Sequence, residues 1–148
     1  MTNGLNRTKI VLIKMITRKT DYAIRCVLHL AERYGETIMI NDIAEGRKIP
    51  KSFLAKILQI LARAGIVESL RGVKGGFRLA RNPSEICLLD IVEAMEGTVA
   101  MNICAVDKRN CSFSSTCVVH PVWMDLRKDL EDRLREWDFE RLLNVDRG

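Results

Sequence analysis

The chain has 148 residues, of which 47% are hydrophobic, and a formal net charge of +5. This length fits one domain with at most a short extension, and the hydrophobic fraction is high enough for a folded core. No apolar run approaches the ~18 residues that a membrane helix requires, and the run at 10–13 is too short for a signal peptide. We therefore expect a cytoplasmic protein with no membrane partner.

The charge is divided unevenly along the chain. Residues 1–83 carry 16 Lys or Arg and 6 Asp or Glu, whereas residues 84–148 carry 8 and 13. A basic first part and an acidic second part indicate that one end of the molecule meets a polyanion while the other has a different role. Uneven surface charge without any function would give the same counts, so the sequence motifs are needed to distinguish the two interpretations.

A first helix is predicted within MITRKTDYAIRCVLHLAERYG, which begins at Met15. Thr20 is placed to cap this helix, Asp21 suits its first turn, and Gly35 suits its end. The apolar residues recur at helical spacing, which predicts one buried face. Residues 1–14 match no clear element.

Two further helices are predicted after it. Asn41 is the expected cap of a short second helix, and a third helix is expected between Pro50 in its first turn and Gly65 just past its end. One face of the third helix is apolar, and the other is small, polar or basic without any acid. Such a pair of helices, joined by a tight link, is typical of a helix-turn-helix. The DNA-binding residues predicted on the third helix are Lys51, Ser52, Lys56 and Gln59.

A β-hairpin is predicted next. Residues 66–70 and 76–80 have short strand patterns, and the glycines between them permit turn conformations that other residues resist. A basic hairpin in this position is typical of the wing of a winged helix, whose tip can place an arginine in the minor groove. The wing residues predicted to bind DNA are Arg71, Lys74 and Arg78.

The C-terminal part is predicted to contain two helices. ICLLDIVEAMEG forms the first, which ends at Gly97, and VVHPVWMDLRKDLEDRLREWDFERLL forms one long helix. The stripe on the long helix is too apolar for a helix that stands alone, so a second copy of the chain is the expected partner. Packing against its own domain is the alternative. The predicted dimerisation residues are Trp123, Leu126, Leu130, Leu134 and Trp137.

Three cysteines lie between these two helices and a histidine lies at the start of the long one, namely Cys104, Cys111, Cys117 and His120. The odd total of five cysteines and a reducing compartment disfavour disulfides. Four such ligands suit zinc, but structural zinc sites usually pair cysteines two residues apart. Thiolates also suit iron–sulfur clusters or a thiol switch. The remaining two, Cys26 and Cys87, are expected to be small buried hydrophobic side chains.

The segments TDYAIRCVLHLA, FLAKILQILARAGIVESLRGVKGGFRLAR and DIVEAMEG resemble the Rrf-type winged-helix repressor family that includes IscR, NsrR, RirA and CymR. The resemblance extends from about Met15 to Leu142. It implies that Ser52 and Lys56 face the major groove of operator DNA and that Arg71 reaches the minor groove. Ala55 and Lys56 depart from the iron–sulfur biogenesis regulators of this family, and Lys56 implies a different operator sequence.

The resemblance also bears on the cysteine segment. Three cysteines followed by a fourth ligand of another type are the pattern by which this family holds an iron–sulfur cluster. His120 matches the histidine that completes a 2Fe-2S site, which we favour. Asp21 matches an aspartate that completes a 4Fe-4S site from the partner subunit, and this is the alternative.

These patterns predict a mainly α fold with a small β-hairpin wing, a winged helix-turn-helix followed by a long dimerisation helix. The expected function is a homodimeric repressor that binds double-stranded operator DNA and senses redox, nitric oxide or iron status through the cluster. A cluster-free regulator, acting as a thiol switch or under a protein partner, is the alternative. No enzyme or small-molecule substrate is expected, because no catalytic constellation or phosphate loop is present. The expected divisions are 1–14 (extension), 15–83 (DNA binding), 84–118 (linking helix and cluster loop) and 119–148 (dimerisation helix and tail).

Overall fold

The structure is a computed structural model, and it describes residues 16–99, 112–113 and 115–145. Helices form most of the described chain, with one two-stranded antiparallel sheet. The helices are α1 (Arg18–Glu32), α2 (Ile40–Arg47), α3 (Lys51–Arg63), α4 (Leu88–Glu96), α5 (His120–Arg135) and α6 (Phe139–Leu143). The strands are β1 (Val67–Leu70) and β2 (Gly76–Leu79), and a 3-10 turn spans Pro83–Glu85.

The main core lies between α1, α2, α3 and the hairpin. The inner face of α3 is fully buried, as the helical spacing predicts, and each of these side chains contributes about 1.5–3 kcal/mol by leaving water. Apolar residues of α1 pack against the same cluster. The buried residues of α3 are Leu54, Ile57, Leu58 and Leu61.

The hairpin is attached to the helices through its second strand. β1 pairs with β2 from Val67 opposite Leu79 to Leu70 opposite Gly76. Ile38, just before α2, exchanges two backbone hydrogen bonds of 2.8 Å with Phe77. Gly76 is required at this junction, because a Cβ there would lie 2.5 Å from the Ile38 carbonyl oxygen. The predicted hairpin is therefore present, and its backbone is fixed to the helix-turn-helix.

The starts of α1 and α2 differ from the sequence prediction. Thr17, not Thr20, caps α1, and its hydroxyl accepts a hydrogen bond from the Thr20 backbone N–H. Thr20 is instead buried inside the helix, where its hydroxyl donates to Glu96. Helix α2 begins at Ile40, so Asn41 lies in its first turn rather than at the cap. In both cases a contact distant in sequence fixes the boundary, and spacing alone does not show such contacts.

The prediction of one long C-terminal helix is wrong. Helix α5 ends at Arg135, and the Asp138 carboxylate then caps α6 by accepting from the Arg141 backbone N–H at 2.7 Å. The Phe139 N–H donates to the Ile86 carbonyl at 2.9 Å, and the Phe139 side chain is 0% exposed in the main core. Burial of this ring outweighs the continuation of an exposed helix.

Helix α5 packs on α4 through a smaller cluster. Leu130 and Leu134 contact Leu89, Val92 and Val99, the buried residues of this cluster. No residue of α5 is fully buried. Within the described part of the chain, no helix is long and apolar enough to cross a membrane.

Candidate nucleic-acid interface and cysteine segment

The outward face of α3 brings together all four predicted DNA-binding residues of that helix. Lys51, Ser52, Lys56 and Gln59 are exposed. Helix α3 contains no acid in its first turn or elsewhere, so these lysines have no carboxylate on their own helix. Such a surface attracts a phosphate backbone and leaves hydroxyl and amide groups free for base edges.

The wing presents its basic residues unequally. Arg71 and Lys74 are exposed beside Gly72, whose φ of 111° permits the tight turn. Arg78 instead lies opposite Glu68 on the neighbouring strand and forms an ion pair with its carboxylate. Its charge is therefore partly neutralised within the hairpin. Arg71 and Lys74 are better placed to meet an anion than Arg78.

An aromatic contact joins the first turns of α1 and α3, and the sequence analysis missed it. The rings of Tyr22 and Phe53 are 6.2 Å apart between centroids, with an interplanar angle of 53°. The guanidinium groups of Arg18 and Arg25 lie 5.5 and 5.8 Å from the Tyr22 ring centroid. The spacing of Arg18 and Tyr22, four residues apart on one face of α1, could have indicated the cation–π pair, but nothing local indicates the contact of Tyr22 with Phe53.

Two of the four predicted cluster ligands, Cys104 and Cys111, lie outside the described residues. Cys117 is a half-buried free thiol, and His120 is the first residue of α5. The Nδ1 atom of His120 is buried and has no hydrogen-bond partner among the residues that the structure describes. Buried ring nitrogens normally have a hydrogen-bond partner, so this nitrogen fits the role of a metal ligand. Among the residues described, no group of three or more His, Cys, Asp or Glu is placed to hold a metal ion.

The alternative fourth ligand, Asp21, is far from the cysteine segment in sequence and lies in the first turn of α1. Its carboxylate forms an ion pair with Arg25 at 2.8 Å, and both side chains are about two-fifths exposed. An exposed pair of this kind contributes at most about 1 kcal/mol. Asp21 is therefore accessible, but it already has a cation as partner, whereas the Nδ1 of His120 has no partner within residues 16–99, 112–113 and 115–145.

The start of α1 is connected to the end of α4 by Glu96. Its Oε1 accepts hydrogen bonds from the Thr17 backbone N–H and from the hydroxyls of Thr17 and Thr20. Burial opposes ionisation of this carboxyl, but the hydrogen bonds from the two threonines, with a smaller effect of Lys19, outweigh it and lower the pKa of Glu96. The segment that leads to the cysteines thus leaves α4 at a point fixed to the start of α1.

The two cysteines outside the segment differ from each other. Cys26 is fully buried, as expected, and burial raises the pKa of its thiol to about 12. Cys87 is only half-buried, which differs from the expectation. It is the N-cap residue of α4, and the Asp90 carboxylate accepts from both its backbone N–H and its thiol. Burial is again the main cause that raises the pKa of the Cys87 thiol. Neither is poised as a thiolate.

The structure divides the predicted dimerisation stripe. Leu130 and Leu134 pack on α4 of their own chain, which was the alternative expectation, and Trp123 is half-buried. Trp137 lies beyond the end of α5, where the Arg141 guanidinium stacks on its ring at 4.1 Å. Leu126 remains 40% exposed. The stripe is therefore shared between an intramolecular contact and an exposed surface.

Comparison with known proteins assigns the family. Residues 16–145 match the model of the Rrf2 family, which is described as iron-dependent transcriptional regulators. The chain belongs to the Rrf2 family. The chain is 31% identical over 127 residues to a putative HTH-type transcriptional regulator of Aquifex aeolicus, which covers 84% of this chain and 88% of that protein. The family resemblance inferred from the motifs is confirmed, and this Rrf2 chain is a transcriptional regulator rather than an enzyme.

Solved Rrf2-like structures confirm the predicted fold class. T. potens IscR superposes with a TM-score of 0.68 at 25% identity, over 90% of this chain and 93% of that one. The oxidized form of Staphylococcus aureus CymR has a TM-score of 0.68 at 25% identity, over 90% and 98% of the two chains. The described helices and hairpin are therefore those of a winged-helix Rrf2 regulator.

Proposed function

We propose that this Rrf2 chain is a homodimeric repressor that binds double-stranded operator DNA and senses redox, nitric oxide or iron status through an iron–sulfur cluster. The observation that carries the DNA-binding part is the exposed, acid-free basic face of α3, followed directly by the basic hairpin. The family description as iron-dependent supports the sensing part. Such a protein would act where the chromosome lies, in the cytoplasm.

In the proposed complex α3 is the recognition helix and lies in the major groove. Lys51 and Lys56 would neutralise phosphates, while Ser52 and Gln59 can contact base edges. Arg71 and Lys74 at the wing would meet the adjacent minor groove, where a narrow groove concentrates negative potential. Arg78 would contribute less than these two, because Glu68 already pairs with it.

The proposed cluster ligands are Cys104, Cys111, Cys117 and His120. Cys117 lies just before α5 and His120 begins it, so a group bound to both would fix the first turn of that helix. The buried Nδ1 of His120, which has no partner within the described part of the chain, favours the histidine, and with it a 2Fe-2S cluster. When bound, such a cluster supplies a redox-active and labile group.

A 4Fe-4S cluster completed by the partner subunit's Asp21 is the weaker form of the proposal. Asp21 would first have to leave its ion pair with Arg25. Breaking an exposed ion pair costs little free energy, so the choice between Asp21 and His120 depends mainly on the buried Nδ1 of His120.

The homodimer would form through the exposed side of α5. Val119, Val122 and Leu126 are three or four residues apart and between 40% and 50% exposed. Leu130 and Leu134, on the adjoining part of the same face of α5, pack on α4, so Val119, Val122 and Leu126 are the part of the stripe left for a second copy. In this division of the chain, residues 15–83 bind DNA and residues 84–118 form the linking helix and the cluster loop. Residues 119–148 form the dimerisation helix and the tail.

A second candidate function keeps DNA binding without the cluster. The likeness to the oxidized form of S. aureus CymR favours it, together with the free thiol of Cys117. The cysteines would then act as a thiol switch, or a protein partner would control the regulator.

The deciding experiment is purification without oxygen, followed by iron and sulfide analysis and visible spectroscopy. We expect a coloured protein whose spectrum changes in His120→Ala and persists in Asp21→Ala. Asp42→Ala, another acid in the first turn of a helix, is the matched control. A spectrum lost in Asp21→Ala but unchanged in His120→Ala would reverse the ligand choice. An iron-free protein that cannot be reconstituted, yet changes its DNA affinity on peroxide treatment, would establish the second candidate.

A further inference from the structure

We infer that Arg18, held against the ring of Tyr22, is a further contact to the DNA backbone beside the recognition helix. The inference rests on the proposed DNA-binding function and adds a phosphate contact from α1, a helix outside the helix-turn-helix and the wing. The contact would be made without regard to base sequence.

The first step is the position of Phe53. It is the third residue of α3 and is 52% exposed, although its neighbour Leu54 is fully buried. At 100° per residue, Phe53 lies on the flank of α3, between the outward face with Ser52 and Lys56 and the buried face. A side chain on this flank borders the recognition surface without being part of it.

The second step is the connection from Phe53 to α1. Its ring contacts Tyr22 at a centroid distance of 6.2 Å. Tyr22 in turn carries the guanidinium of Arg18 at 5.5 Å from its ring centroid, in the range of a cation–π contact. Arg18 is the first residue of α1 and is exposed. The two rings thus connect an exposed cation on α1 to the flank of the recognition helix.

The third step is charge. Arg25 lies over the same ring at 5.8 Å, but Asp21 pairs with it. Arg18 has no carboxylate partner among the residues that the structure describes. Arg18 is therefore the cation of this cluster that can neutralise an external anion. A guanidinium stacked on a ring is also weakly hydrated and preorganised, which favours phosphate as its ligand.

The fourth step is the geometry of the groove. The major groove is about 12 Å wide, and an α-helix with its side chains is about 10–12 Å across. A helix seated in the groove therefore has sugar-phosphate backbone along both flanks. The flank marked by Phe53 would face one strand, and the Arg18–Tyr22 pair beside it would face the phosphates of that strand.

The test is the salt dependence of binding to a labelled 30-base-pair duplex of mixed sequence, measured by fluorescence anisotropy. Each phosphate contact contributes about 0.9 to the slope of log affinity against log salt. Arg18→Ala should lower the slope by about 0.9 per bound subunit, which is about 3.5-fold less loss of affinity for a fourfold rise in salt. Arg18→Lys keeps the charge and should retain most of the slope.

Arg33→Ala is the matched control, because it removes one exposed arginine at the other end of α1 and changes the net charge equally. Thermal melting of each variant shows whether the fold is kept. Equal effects of Arg18→Ala and Arg33→Ala would reduce the result to net charge and overturn the contact. A lower melting temperature of Arg18→Ala with an unchanged salt slope would show that Arg18 stabilises the fold and does not contact DNA. If the wild type itself shows no salt-dependent binding, the proposed function fails and the contact fails with it.

Discussion

The helix-turn-helix and α5 use apolar residues in different ways. Helix α3 buries four large side chains completely in its own domain, whereas α5 is longer and has no fully buried residue among its sixteen. The first arrangement is stable by itself, and the second leaves apolar surface for another molecule. The difference shows that apolar side chains are buried in the core in the N-terminal part and partly exposed on α5, where the proposed dimer would bury them.

The largest test of this comparison concerns Phe139, which follows α5 in sequence but lies in the main core. Phe139→Ala should lower the free energy of unfolding by about 3–5 kcal/mol, because it removes a ring that is 0% exposed and leaves a cavity. Urea unfolding followed by circular dichroism measures the change. Val145→Ala, an exposed apolar residue nearby, should change stability by less than about 0.5 kcal/mol. A Phe139 variant as stable as wild type would show that the C-terminal segment does not belong to this core.

The second test concerns the exposed stripe of α5. Leu126→Asp should shift the protein from dimer to monomer and weaken association by at least about tenfold, since it places a charge in an apolar interface. Light scattering over a dilution series measures the shift. Met124→Asp is the control: Met124 is 39% exposed, as Leu126 is 40%, but it points about 160° away around the helix. Equal effects of the two variants would place the interface elsewhere.

The same contrast explains what could be predicted from the sequence. The helices α1 to α3 and the hairpin follow from inner faces that repeat at 3.6 or 2 residues, and α1 and α3 are each followed by a glycine, as Gly65 with its φ of 73° shows. The cap at Thr17 and the end of α5 were missed, because Glu96 and the core pocket of Phe139 lie far away in sequence. The α3 lysines were predicted from local pattern. The Tyr22–Phe53 contact was not, since it joins two helices.

The third test concerns Glu96, which connects α4, the helix on which α5 packs, to the start of α1. Its carboxyl has a pKa below the usual value, so its contribution is present above the unfolded pKa of about 4.3 and is lost as pH falls through the folded pKa. Glu96→Gln should cost about 1 kcal/mol or less, because the site is exposed, and should flatten the acid limb of stability against pH. Unfolding in urea from pH 3 to 7 measures both, with the limits chosen around that unfolded value. Glu93→Gln, on the exposed side of α4, should leave the limb unchanged.

The smallest expected effect concerns His29, whose ring lies between α1 and α2. The ring packs closely on Gly46, since a Cβ added to Gly46 would lie 2.7 Å from the Cε1 atom of His29. Burial, followed by the positive charge of Arg47, lowers the pKa of this histidine, and no described residue forms a hydrogen bond with its buried Nε2. A lowered pKa means that the unfolded chain binds the proton more readily, so stability should decline as pH falls below the unfolded value of about 6.5. His29→Gln should remove this decline in urea unfolding between about pH 5 and 7.5. His120→Gln should leave it in place, because the effect belongs to the contact between α1 and α2 and not to α5. A decline that survives in His29→Gln would assign the titration to another group.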